Sequence, residues 1–195
     1  YVGMTTIDCG TDLSCSSFTF GPVVLSPASP AAGNNIQAYS GNTSPDKDIL
    51  IKWLRGQDNA GDEKGPGNGI TVRGSIHGDV LHSRPLVINY GDSRGIVVFY
   101  GSNDGAYRAI NGNQSTTANG VPAGGELWSL ILPEHYNLIN RYRSNAPELK
   151  FPSSALASAE PKDYFVDGPT GVYQRLNADG SIAKAYIYLT MRRGG

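Results

Sequence analysis

Between residues 84 and 132 the sequence sets four short apolar runs one after another, each bounded by turn-forming residues, and this spacing constrains the fold more than any other feature. The runs are Arg84-Pro85-Leu86-Val87-Ile88-Asn89-Tyr90-Gly91, Gly95-Ile96-Val97-Val98-Phe99-Tyr100-Gly101, Ala106-Tyr107-Arg108-Ala109-Ile110 and Gly125-Glu126-Leu127-Trp128-Ser129-Leu130-Ile131-Leu132. Asn103-Asp104-Gly105 is a hairpin turn between the second and third, and a glycine-rich connection delivers the fourth. Twenty-five glycines, twelve prolines and eleven tyrosines against two methionines favour the same outcome, short strands joined by many turns.

Four antiparallel strands in succession make one propeller-type blade. An insertion of helical character follows at Pro133 to Tyr142, and a loose segment runs to residue 160. The pattern then restarts: Lys162 to Gly168 matches the first strand and Ala185 to Thr190 the second, with Asn177-Ala178-Asp179-Gly180 read as a hairpin turn between Leu176 and Ile182. It stops at Arg192-Arg193-Gly194-Gly195, the place corresponding to Asn103-Asp104-Gly105. Because each blade buries its apolar faces only against neighbours, the expectation is a domain truncated mid-blade, whose natural partner is the remainder of its own propeller.

Upstream, residues 1–45 are rich in Ser, Thr, Pro, Gly and Asn and read as an irregular leading segment or linker, broken by strand-like runs at Ser17–Phe20 and Pro22–Leu25. Residues 46–195 form the start of the propeller domain. Apolar residues 49, 50, 53 and 54 have helical spacing and predict one short helix over Asp46–Arg55. The fold class is therefore all-β, a partial modified β-propeller of quinoprotein-like four-stranded blades with short helical insertions.

A net charge of −1 without blocks of like charge leaves no electrostatic footprint for nucleic acid or anionic lipid, so neither partner is expected. No stretch approaches the 18 to 20 apolar residues of a membrane span. Tyr1-Val2-Gly3-Met4 shows no charged-then-apolar export signal, so processing has removed one or the sequence begins inside a longer chain. Cys9 and Cys15 could close a small loop as a disulfide in an oxidising compartment, with free thiols as the alternative; two thiols without a nearby histidine lack half the ligands of tetrahedral zinc.

The order of four motifs carries a family likeness. Gly78-Asp79-Val80-Leu81-His82-Ser83-Arg84-Pro85 is followed by Val97-Val98-Phe99-Tyr100-Gly101-Ser102-Asn103-Asp104-Gly105, then by Gly125-Glu126-Leu127-Trp128, and the chain closes on Met191-Arg192-Arg193-Gly194-Gly195. Over roughly residues 45–195 this resembles the PilC/PilY family of type IV pilus tip proteins. The Glu-Leu-Trp strand is shared by many quinoprotein-like propellers, whereas the Gly-Asp-x-Leu-His-Ser-x-Pro element is far more specific.

The resemblance implies a non-enzymatic role in pilus biogenesis, opposition to retraction, and adhesion to surfaces or host cells. It also implies a location at the pilus tip or outer surface of a Gram-negative bacterium, reached through the periplasm. Minor pilins and a host or abiotic surface receptor would be the partners. The resemblance also implies calcium control in some parent proteins of the family; the compact Asp-x-Asp-x-Asp-Gly loop that members carry later in the propeller is not found here, and no cofactor is expected in this stretch. Two other readings remain open, a quinoprotein-type propeller dehydrogenase and a generic propeller scaffold for periplasmic assembly. The first needs a quinone, a central calcium and a catalytic carboxylate, for which no motif is seen.

Asp79, His82 and Ser83 invite a catalytic reading, yet no Gly-x-Ser-x-Gly elbow is present, and neighbouring residues of an extended segment point to opposite faces. The expectation is structural: Asp79, His82 and Arg84 tie the turn that leads into the blade to neighbouring backbone, with Gly78, Ser83, Pro85, Asn103, Asp104, Gly105 and Trp128 completing the motif. Asp58-Asn59-Ala60-Gly61-Asp62-Glu63 is oxygen-rich, and Asp58 and Asp62 are weak calcium candidates. Its spacing departs from the alternate-position pattern of calcium loops, so a solvated loop is the expected state.

Overall fold

The computed structural model describes residues 19–20, 23–24, 47–63, 72–150 and 156–191. Cys9 and Cys15, most of the leading segment and the closing Arg192–Gly195 lie outside the described residues. Two short strands, β1 (Thr19–Phe20) and β2 (Val23–Val24), pair antiparallel within the leading segment.

The four apolar runs become β3 (Leu86–Asn89), β4 (Ile96–Gly101), β5 (Ala106–Asn111) and β6 (Glu126–Ile131), an antiparallel meander in chain order. Along β4, half-buried and buried residues alternate strictly, the period-two signature of a pleated strand. The register stacks Leu86, Phe99, Ala109 and Trp128 across the sheet, and a bulge between Ala109 and Ile110 shifts the last pairing. The regular structure of the described residues is thus mostly antiparallel sheet with few helices, as the turn spacing requires.

One face of this sheet forms the main core. Ile88, Val97, Phe99, Tyr107, Ala109 and Leu130 are buried there, and half-buried Ala185, Ile187, Leu189 and Met191 pack against them from a later hairpin. Each fully buried side chain of Val to Phe size contributes about 1.5–3 kcal/mol, so this seam is the main apolar stabilisation of the sheet. The hairpin consists of β7 (Gly171–Leu176) and β8 (Ile182–Tyr188), joined by a turn at 177–180 as expected.

A second cluster joins the sheet to the helices. Helix α1 (Lys47–Leu54) buries Leu50 and Trp53, with Leu54 half-buried and Ile49 exposed. A 3-10 turn (Pro133–His135) leads into α2 (Tyr136–Ser144), which buries Tyr136 and Ile139 against Ala106, Ile131 and Phe165. Trp53 meets Tyr142 edge-on at 5.3 Å. Asn145 ends α2 in the left-handed conformation, φ 49°, its N–H donating to the Arg141 carbonyl. Among the described residues no helix is long and apolar enough to cross a membrane.

One strand assignment is corrected. Lys162 to Gly168 is not a strand; it is an irregular segment with Phe165, Val166 and Asp167 buried. Its polar groups go to side chains and loops instead of a ladder: the Phe165 N–H donates to Asn103 Oδ1 and the Asp167 carboxylate binds a distant turn. The strand that opens the second hairpin comes later, at Gly171, and the strand expected over Ala185–Thr190 runs over Ile182–Tyr188.

Candidate functional site

The residues of the Gly-Asp-x-Leu-His-Ser element, the Asn-Asp-Gly turn and the 162–168 segment converge on one polar cluster beside the β4–β5 turn. At its centre is Asp167, whose side chain is fully buried. The consecutive backbone N–H groups of Leu81, His82 and Ser83 all donate to Asp167 Oδ1, at 3.0, 2.9 and 2.9 Å. Oδ2 accepts from Asn103 Nδ2 at 2.9 Å and lies 3.1 Å from His82 Nδ1. Burial pushes the Asp167 carboxyl up, but the backbone donors of His82 and Ser83, with the His82 and Asn103 side chains, outweigh it and hold the group at about 2. Asp167 is ionised at neutral pH and its charge is distributed over five donors.

Asn103 is the bridge between segments. Its amide donates to Asp167 and, at 2.7 Å, to Asp79 Oδ2; its carbonyl oxygen accepts the Phe165 N–H; its own N–H donates to the Asp79 carbonyl at 3.0 Å. Asp79 pairs on its other oxygen with Lys162. Burial opposes ionisation of Asp79, and the hydrogen bonds from Lys162 and Asn103 lower its carboxyl below the ordinary range.

A second buried carboxylate fixes the turn itself. Asp104, 2% exposed, accepts from Ser102 Oγ, the Ala106 N–H and the Gly78 N–H, and forms a two-pronged pair with Arg108, whose Nη2 lies 2.7 Å from Oδ2 and Nη1 3.1 Å from Oδ1. Burial opposes the charge on Asp104 and the Arg108 guanidinium restores it, lowering the carboxyl. Arg108 Nε reaches Glu126 on β6 at 3.1 Å, so the pair also ties β5 to its neighbour.

The glycines are required by the closeness of these segments. A Cβ at Gly78 would stand 2.7 Å from the backbone of Asn103 and Asp104, and one at Gly101 would fall on the Val166 carbonyl. Ser83 is buried, and its hydroxyl oxygen accepts the Gly101 N–H at 3.0 Å. Trp128, half-buried, packs between Phe99 and Tyr107 at 5.8 and 6.4 Å.

The structure therefore brings together Gly78, Asp79, His82, Ser83, Asn103, Asp104 and Gly105. Arg84 departs from the expectation: it is exposed and makes no hydrogen bond among the described residues, because the tie to backbone is made by Asp167 instead. Pro85 is exposed just before β3. Sequence reading missed Asp167, Lys162 and Arg108; the one signal for Asp167 was an Asp-Gly pair closing an apolar run, absorbed into a supposed strand. No protein-family model, curated protein or solved structure matches the chain.

Away from this cluster, Asp58 is buried and spends both oxygens on its own loop, accepting from the Gly61 N–H at 2.8 Å and the Glu63 N–H at 3.0 Å. Asp62 is exposed. Among the described residues no three His, Cys, Asp or Glu side chains are grouped to hold a metal.

Proposed function

We propose that this chain is part of a type IV pilus-associated propeller protein that acts without catalysis, in pilus biogenesis and in adhesion at the pilus tip. The supporting observation is the use to which the family-like motif is put. Gly78 to Ser83, Asn103-Asp104-Gly105 and Asp167 spend their polar groups on one another and fix the 162–168 segment to the four-stranded meander, against which the following hairpin packs through apolar side chains. Such stacking of a blade on the start of the next is what a propeller requires. In this reading the propeller docks on minor pilins, reaches the outer surface through the periplasm, and presents a receptor-binding surface to host cells or abiotic material.

The test is a count of surface pili, with adhesion to both kinds of surface, in a strain lacking the parent gene. Loss of pili that returns when retraction is also disabled is the expected result. Normal piliation and adhesion would overturn the proposal.

A further inference from the structure

β7 is exposed along its whole length, and its pairing defines which backbone groups it presents outward. The extra residue of the β7–β8 register shift, Ala183, lies on β8, so β7 itself is regular and its peptide groups alternate between its two edges. The Asn177 N–H donates to the Ser181 carbonyl at 2.8 Å, toward β8. Arg175, Tyr173 and Gly171 share that direction and face Lys184, Tyr186 and Tyr188. The N–H and C=O groups of Val172, Gln174 and Leu176 consequently point the other way, along an edge that no strand of the described residues joins.

This edge carries little of the usual protection against strand pairing: no proline, no lysine and no bulge on β7, a single charge at Arg175, and exposed Val172 (38%), Tyr173 (59%) and Leu176 (57%). We propose that it pairs with the same edge of a second copy of this chain, antiparallel, about a two-fold axis through Gln174. That axis makes all three outward residues hydrogen-bonded partners, each pair exchanging both N–H···O bonds. Val172 then faces Leu176 of the second copy, Gln174 faces its own equivalent, and Tyr173 faces Arg175, an aromatic ring against a guanidinium.

Neighbouring registers are poorer. An axis through Arg175 sets arginine against arginine, and one through Tyr173 leaves Leu176 against Thr170 and Arg175 against Gly171. The strand is complementary to itself in one register, and a marginal two-stranded hairpin becomes the half of a four-stranded sheet. This inference does not depend on the pilus reading.

Sedimentation of the full 195-residue chain across the micromolar range tests it, and a dimer is expected. The double substitution Val172→Lys with Leu176→Lys sets lysine against lysine and should weaken the dimer at least about tenfold. Val172→Lys with Leu176→Glu sets lysine against glutamate and should restore it. Gln174→Pro removes an outward N–H and leaves the β7–β8 bonds intact, giving a monomer with unchanged circular dichroism. A monomeric wild-type chain, a dimer that survives the lysine pair, or failure of the lysine–glutamate pair to recover it overturns the proposal.

Discussion

The β3–β6 sheet and the β7–β8 hairpin begin from similar material, short runs of Val, Ile, Tyr and Ala separated by Asp-, Asn- and Gly-containing turns, yet they are held in different ways. The first is clamped. Asp167 and Asp104, both buried and ionised, tie the segment before β3 and the β4–β5 turn to each other and to a segment more than sixty residues downstream. The second has no such clamp along β7, and its attachment runs through the apolar underside of β8, with Arg94 donating to the Ile182 carbonyl at 2.7 Å. The same strand pattern is thus anchored by buried charge in one region and by apolar packing in the other.

Breaking the clamp should therefore cost far more than trimming the hairpin. Asp167→Ala strands the N–H groups of Leu81, His82 and Ser83, the last of them buried, and one donor of Asn103, and urea denaturation should show a loss of about 3 kcal/mol. Gly101→Ala drives a methyl into the Val166 carbonyl and should lose about 2–3 kcal/mol by the same measurement, with the 162–168 segment displaced.

Acid should sharpen the contrast. The Asp167 carboxyl is depressed from an ordinary 3.8 to about 2 in the folded chain. A depressed carboxyl contributes stability that is fully present above the unfolded value and is lost as pH falls through the folded one. The loss should amount to about 2 kcal/mol between pH 4 and pH 2, and Asp167→Asn should remove that dependence. The smallest effect is expected at Tyr173→Ala on the outer face of β7, where thermal unfolding of the dilute monomer should change by about 0.5 kcal/mol or less.

The sheet was legible because its information is local. Alternation in Ile96–Gly101 and the Asn103-Asp104-Gly105 turn state the strands and their order with no need of distant residues. The hairpin turn before Ile182 was legible for the same reason. The segment over Lys162–Gly168 was not, since an apolar run with aromatic residues reads as a strand until one knows where its polar groups find partners, and those lie near residues 81 and 103. Arg84 failed in the complementary way, a charged residue inside a motif whose polar work is done by a carboxylate 83 positions later.

What the sequence determined by itself is the set of pieces: four strands in meander order, a short helix at 47–54, a helical insertion after residue 133, and the glycine-containing turns between them. Period, turn chemistry and helix spacing act over a few residues, so a chain read in order displays them. Only the tertiary structure decided that Asp79, His82, Asn103, Asp104 and Asp167 belong to one cluster, and that its chemistry is to hold charge in place. A buried carboxylate is tolerable only where enough donors arrive together, and donors brought from three separate stretches of chain become neighbours only once the sheet has formed.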